Sequence, residues 1–316
     1  MEKIRLIAVV GPTASGKTAL AVELAKKFDG EVISADSMQV YREMQVATAK
    51  PTKGEMQGIP HHLIDYVEPE EPYSLARYVE DAKAAIADVA SRGKLPVLAG
   101  GTGLYVDTLL ENRDLGDAGE NEELRRGLYA LAEEKGNGYL LELLRKEDPE
   151  TAKKLHENNL IRVVRALEVC RTAGMTMSEL QRRSRETETP YDCCRIGIAY
   201  RDRQVLYDRI NLRVDRMLEA GLCEEARQFF ASGKQTAAQA IGYKELKPWL
   251  DGECTLEEAA DRLKQATRRY AKRQLTWFRK DPGIHWVFPD GEDGAEGALR
   301  EAEQAAEEFL KNREKG

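Results

Sequence analysis

Gly11-Pro12-Thr13-Ala14-Ser15-Gly16-Lys17-Thr18 sets two glycines ahead of a lysine and a hydroxyl. Glycine admits the torsions that turn successive backbone N–H groups toward one anion, the lysine adds a point charge, and the threonine hydroxyl suits Mg2+. The segment follows an apolar run, Ile4 to Val10, and opens a helical pattern over Lys17 to Phe28. Strand, glycine-rich turn and helix N-terminus are the context in which this spacing binds phosphates. Gly11 through Thr18 are therefore expected to cradle a ligand carrying at least a diphosphate, with Thr18 as the metal ligand and Mg2+ as the cofactor.

Asp36 ends the next apolar stretch, Glu31 to Ala35, where an open α/β sheet places ligand groups. Position alone leaves two readings of it: the cap of a helix starting at Ser37, or a carboxylate facing the phosphate site as metal ligand or general base. A further glycine-rich turn, Gly100-Gly101-Thr102-Gly103, closes the run Leu95 to Ala99 and puts Thr102 beside the same site. No apolar strand ends in the aspartate that helps hold Mg2+ in many P-loop ATPases. Leu63-Ile64-Asp65 supplies such a carboxylate or simply ends a strand.

Cations recur at helical spacing. Arg162, Arg165, Glu168 and Arg171 share one face, as do Arg209, Arg213 and Arg216, and a solvated charged face explains most such patterns. Between Arg262 and Lys280 eight basic residues occur with no acid, and Lys272-Arg273-Gln274-Leu275-Thr276-Trp277-Phe278-Arg279 interleaves them with aromatics. Such a segment can stack on bases and grip phosphates; Trp277 and Phe278 equally suit a core. The 316 residues carry 48 Lys and Arg against 55 Asp and Glu, a net charge of −7, so the basic stretch stands out against an acidic chain.

The elements that must hold these groups follow from periodicity. Strands alternate with helices up to Ala99, including a short strand over His62 to Val67 and a helix capped by Ser74 that runs to about Arg92. From Asn112 to about Arg185 the chain is rich in Glu, Arg and Leu and reads as helices, broken near Gly136, Pro149 and Gly174. A strand returns after Pro190. Helices follow over Arg203 to Ala220, Glu224 to Ser232 and Leu256 to Arg279, then a strand over Ile284 to Phe288 and a last helix over Leu299 to Lys311. The expected fold is α/β: a P-loop NTPase-like parallel sheet with a helical insertion and a helical C-terminal region. Its domains are 1–112 with 190–316, and 113–189. No run spans a bilayer and the strand starts too early for a signal peptide, so a cytoplasmic protein is expected. Five cysteines without Cys-x-x-Cys spacing argue against structural zinc or a disulfide framework.

In order along the chain, these segments resemble the bacterial tRNA dimethylallyltransferase family. The resemblance rests on residues 11–18, Ser34-Ala35-Asp36-Ser37-Met38-Gln39-Val40-Tyr41, Ala47-Thr48-Ala49-Lys50-Pro51 and Pro60-His61-His62-Leu63-Ile64-Asp65. Gly100 to Tyr105, Arg162 to Glu168, Ile241-Gly242-Tyr243-Lys244 and Lys272 to Arg279 complete it. It implies transfer of a dimethylallyl group from dimethylallyl diphosphate to the exocyclic N6 of the adenosine 3′-adjacent to a tRNA anticodon. It also implies Asp36 as general base, with Thr13 and Arg213 as further catalytic contacts to the diphosphate. The anticodon stem-loop is implied to meet Asp36, Ser37, Met38, Gln39, Thr102, Arg125, Ile161, Arg162, Val163, Val164 and Arg165. Gln239, Ala240, Ile241, Gly242, Tyr243, Lys244 and the whole of Lys272 to Arg279 complete that surface. A monomer acting away from membranes is expected. A small-metabolite kinase shares the P-loop chemistry but leaves the basic aromatic stretch unused, and a non-catalytic RNA-binding NTPase module leaves Asp36 unexplained.

Overall fold

The computed structural model describes residues 2–115, 121–233 and 240–311. Six strands form one parallel sheet: β1 (Ile4–Val10), β2 (Gly30–Ser34), β3 (His61–His62), β4 (Leu95–Gly100), β5 (Tyr191–Ile198) and β6 (His285–Val287). Their order is β3-β2-β4-β1-β5-β6. In β1 both faces are covered, which is why it reads as an unbroken apolar run rather than an alternation. Its register sets Ile7 beside Val97 on one flank and Cys194 on the other, so β1 lies at the centre and its P-loop emerges mid-sheet.

Helices α1 (Lys17–Lys27), α2 (Lys53–Met56), α3 (Leu75–Ser91) and α4 (Gly103–Leu110) accompany the first strands. A helical stretch follows: α5 (Glu122–Lys135), α6 (Asn137–Glu147), α7 (Pro149–Ala152), α8 (Leu160–Thr172) and α9 (Met177–Glu186). After β5 come α10 (Arg203–Glu219), α11 (Leu222–Ala231), α12 (Tyr243–Leu250), α13 (Leu256–Phe278) and, beyond β6, α14 (Gly294–Lys311). This is the α/β fold, with its parallel sheet and helical additions, that the alternation predicts.

The chain divides into two compact units, 1–109 with 190–316, and 110–189. In the first, Leu20, Leu24 and Ala25 of α1 and Ala298, Ala302 and Ala306 of α14 bury Ile7, Val9, Val97 and Ile196 of the sheet. A second core gathers α10 to α13 around Val214, Tyr243, Leu246 and Leu263. In the unit 110–189, Leu128, Leu140, Leu144, Val163, Val164 and Leu167 form a helical core of their own. Each face repeats at three or four residues, the spacing that helix packing requires.

The third strand differs from expectation. Only His61 and His62 pair with β2, because Leu63 and Asp65 both take positive φ of 61° and swing the chain out of the sheet. It returns at Val67, which bridges Tyr41. No helix begins at Ser37 either: the chain turns there, with Asp36 Oδ1 accepting from the Met38 and Gln39 backbone N–H groups at 2.9 and 3.3 Å. α12, whose apolar face is short and whose interior holds Pro248, had no clear signal in the sequence.

Candidate active site

The glycine-rich loop leaves β1 at Gly11 and hands over to α1 through Gly16, whose φ of 99° is a left-handed conformation that a side chain disfavours. Ala14 also sits at positive φ, 61°. Its carbonyl accepts from Arg209 Nε at 2.9 Å, and the neighbouring Ser15 carbonyl accepts from the Tyr200 hydroxyl at 3.2 Å. The Lys17 ammonium donates to the Pro12 carbonyl at 2.6 Å.

A second strut comes from α13. Gln274 accepts from the Thr13 N–H at 2.8 Å and donates to the Gly101 carbonyl at 2.9 Å, joining the phosphate loop to the turn after β4. A Cβ on Gly101 would lie 2.2 Å from the Gln274 amide nitrogen, so a side chain there would displace this strut. Trp277 donates to Asp107 at 2.7 Å, fastening α13 to α4. Thr102 accepts from the Ser37 N–H at 3.1 Å, so the turns after β2 and β4 are also tied.

These loops meet at the carboxyl ends of β1, β2 and β4, where parallel sheets bind ligands. They surround a cavity of about 280 Å³. Thr13, Lys17, Thr18, Asp36 and Arg213 supply its polar lining, with Val214, Met217, Ile241 and Leu263 among the apolar groups. Burial lowers the Lys17 pKa to about 7, the nearby Arg213 charge adds to the effect, and Asp36 opposes it. Arg213 is itself pushed below its usual range by burial. Two cations held close in a poorly solvated cavity make a strong site for a multiply charged anion. Asp36 keeps Oδ2 without a hydrogen-bond partner among the described residues, beside those cations.

Asp65 does not join this group. It pairs with the buried Lys50 ammonium at 2.5 Å, and it does not line the cavity. Among the described residues no cluster of three or more His, Cys, Asp or Glu forms a metal cage. The Thr18 hydroxyl and the Asp36 carboxylate are hard oxygen donors on one cavity, a set that fits Mg2+ held largely through substrate phosphates.

The similarity to known proteins agrees with this geometry. The family described as IPP transferase matches residues 39–281, and that described as Isopentenyl transferase matches residues 4–68. The tRNA dimethylallyltransferase of Caldanaerobacter subterraneus subsp. tengcongensis is 49% identical over 91% of this chain and 92% of its own. The chain belongs to the tRNA dimethylallyltransferase family. The crystal structure of the tRNA isopentenylpyrophosphate transferase from Bacillus halodurans covers 99% of both chains at 44% identity with a TM-score of 0.74. A eukaryotic dimethylallyltransferase acting on tRNA matches 98% of this chain and 80% of its own at 33% identity, with a TM-score of 0.85.

The structure sorts the residues of these motifs by environment. Lys272, Arg273, Thr276 and Arg279 are exposed along α13, and the three cations meet no carboxylate among the described residues. Gln274 and Phe278 point the other way: they are 6% and 2% exposed, which makes them a strut and a core residue rather than an open surface. Leu275 is half-buried against Tyr200 and Ile210. Val163 and Val164 are buried in the core of the helical unit, while Ile161 on the same helix is 75% exposed beside the exposed Arg162. Arg125 and Arg165 both pair with the fully buried Glu168, at 2.9 and 2.6 Å. Ala240 and Ile241 line the cavity, Tyr243 is buried, Gly242 opens α12, and Lys244 is exposed. Gln239 lies outside the described residues.

Several cavity residues carried no chemical signal in the sequence. Thr267 and Tyr270 reach it from α13, and Val214 and Met217 from α10. Tyr270 and Thr267 lie four and seven residues before Gln274, and Met217 four after Arg213, so these three share a helix face with residues that face the site, whereas Val214 directly follows Arg213. Among the described residues no helix is long and apolar enough to cross a membrane.

Proposed function

We propose that the chain transfers the dimethylallyl group of dimethylallyl diphosphate to the exocyclic N6 of the adenosine 3′-adjacent to a tRNA anticodon, releasing diphosphate. The observation that carries this reading is one cavity holding two crowded cations, a carboxylate and an apolar wall. A small-metabolite kinase needs the cations, whereas an apolar wall beside them fits a prenyl chain.

The N6 lone pair is delocalised into the adenine ring, so the amine is a weak nucleophile. As nitrogen bonds to C1 of the donor, the C1–O bond breaks and its electron pair leaves on the diphosphate. The N6 proton goes to Asp36 Oδ2, which acts as general base. Charge gathering on the diphosphate is met by the backbone N–H groups of Gly16, Lys17 and Thr18 where the loop enters α1, by the Lys17 side chain and by Arg213. Thr13, its N–H already directed to Gln274, offers its hydroxyl. Mg2+, held by Thr18 and the diphosphate, supplies further charge neutralisation when bound. The apolar wall keeps water from an allylic carbon with cationic character.

The target base leaves its stack to reach the cavity, as chemistry on a base requires. Lys272, Arg273, Arg279 and Lys244 are proposed to grip RNA phosphates, and Ile161 and Arg162 to contact RNA from the helical unit. The protein is proposed to act as a cytoplasmic monomer.

Labelled dimethylallyl diphosphate, Mg2+ and an unmodified tRNA with adenosine after its anticodon test the reading, with ATP in a parallel arm. Label should enter the RNA, and Asp36→Asn, which retains the Oδ1 acceptor, should slow single turnover by about 10²–10⁴-fold. Folded protein that moves phosphate from ATP but no prenyl group to RNA overturns it.

A further inference from the structure

The apolar side of the cavity ends in a wall whose parts are held from behind. On α10, Arg213, Val214 and Met217 all line the cavity. Arg213 and Met217 are four residues apart in sequence, so they share a helix face at about 6 Å along its axis. A donor whose diphosphate meets Arg213 can therefore lay its carbon chain toward the Met217 thioether. Ala47, Ala240 and Ile241 line the same space. Met217, Ala47 and Ile241 pack directly on the buried core that also holds Leu222, Phe229, Tyr243 and Leu246, none of which lines the cavity, and this core backs the wall.

Ala47 is fixed by a carboxylate that does not itself line the cavity. Glu225 of α11 accepts from the Val46 N–H at 2.7 Å through Oε2 and from the Ala47 N–H at 2.8 Å through Oε1. The same Oε1 accepts from the Tyr243 hydroxyl at 3.0 Å. Opposite, a Cβ on Gly242 would sit 3.6 Å from the Ala47 methyl. Glu225 thereby pins the loop carrying Ala47 against the start of α12, next to Ala240 and Ile241.

Resting on the prenyl-transfer reading above, we infer that Met217 determines the length of prenyl chain accepted, holding it to one isoprene unit against Ala47, with Glu225 as the residue that positions Ala47. Met217 lines the cavity one helical turn beyond Arg213, and a longer chain would have to displace either its thioether or a loop held by two charge-assisted hydrogen bonds. A single methylene in an apolar site already changes selectivity by about 10–200-fold, so an added isoprene unit meets a steep barrier.

The experiment measures kcat/KM for geranyl diphosphate relative to dimethylallyl diphosphate on unmodified tRNA, for wild type, Met217→Ala, Met217→Phe and Glu225→Gln. Met217→Ala should raise the geranyl-to-dimethylallyl ratio by about tenfold or more. Met217→Phe should act in the opposite sense, raising the KM for dimethylallyl diphosphate while leaving that for tRNA unchanged. Glu225→Gln presents an amide N–H2 to one of the backbone donors, so it should raise the ratio by about threefold, with an increased donor KM and an unchanged tRNA KM. Both Met217 variants give independent readings, so poor folding of one leaves the other decisive, and circular dichroism identifies which is folded. An unchanged ratio in the folded variants beside an active wild type overturns this inference alone. A wild type that transfers neither chain overturns the reading of the site, and this inference with it.

Discussion

Lys17 carries the conflict built into the cavity. Burial first, and Arg213 second, bring its pKa down from 10.5 to about 7. The folded chain thus binds fewer protons than the unfolded chain between those values, and Lys17 subtracts stability as pH falls through that window. A bound diphosphate reverses the local field and returns Lys17 to its charged form. At pH 8 donor binding should therefore take up a proton, seen by calorimetry as a heat that varies with the ionisation enthalpy of the buffer. At pH 6 that uptake should vanish, and Lys17→Met should abolish it at pH 8. An uptake that persists unchanged in Lys17→Met would assign the proton to another group. The lysine was legible in the sequence from its motif; its depressed pKa was not, because it depends first on burial in the folded cavity and then on Arg213, distant in sequence and brought close by α10.

At the scale of elements, the site is a set of loops tied by side chains from helices. Gln274 is the clearest tie, a role that the resemblance, which implied it as part of the RNA surface, did not include. Leu263, Thr267, Ala271, Gln274 and Phe278 are all buried on α13 and recur at three or four residues, so periodicity marks Gln274 as facing inward despite its basic neighbours. Gln274→Leu, close in size, should leave the Thr13 N–H and the Gly101 carbonyl unpaired. A stability loss of about 1–3 kcal/mol per group is expected in urea unfolding, with a raised donor KM. An unchanged donor KM would separate the strut from the phosphate loop. At the sheet edge, Glu31 of β2 is gripped by Arg92 and by His62 of β3. Chiefly through Arg92, and against the cost of burial, its pKa falls from 4.5 to about 2. Its contribution to stability is thus full above 4.5 and is lost as pH falls toward 2. The gap in stability between wild type and Glu31→Gln should close over that acidic window; a gap independent of pH would mean the carboxylate charge is not what holds the edge.

For the whole molecule, the net charge of −7 understates its capacity for RNA. Lys264 and Arg268 are engaged within the protein, with Asp215 and Asn211, whereas Lys272, Arg273 and Arg279 stand exposed with no carboxylate partner among the described residues. Arg273→Ala should weaken tRNA binding at every sequence and flatten the dependence of log K on log salt by about one unit of slope. An unchanged slope would show that this helix does not touch phosphates. In the unit 110–189 the charges divide similarly: Glu168 draws Arg125 and Arg165 inward, leaving Arg162 and Ile161 exposed on α8. The sequence placed Arg162, Arg165 and Glu168 on one helix face, but that the buried Glu168 claims Arg165, and Arg125 from α5 with it, was decided by packing.

By itself the sequence determined what depends on neighbours along the chain. It set the phosphate loop between a buried strand and a helix, the parallel alternation, the long helical stretch, the capped helices and the family. Torsional freedom and periodicity are local properties, so residue order is enough to express them. Tertiary structure alone decided which residues share the cavity. Arg213, Met217 and Tyr270 are joined to Asp36 and Lys17 there by two helices more than 160 residues farther along. It also decided that Asp65 serves Lys50 and that Glu225 holds Ala47. Those outcomes follow from packing and from the cost of leaving a buried charge unpaired, and both depend on what distant segments bring to the same place.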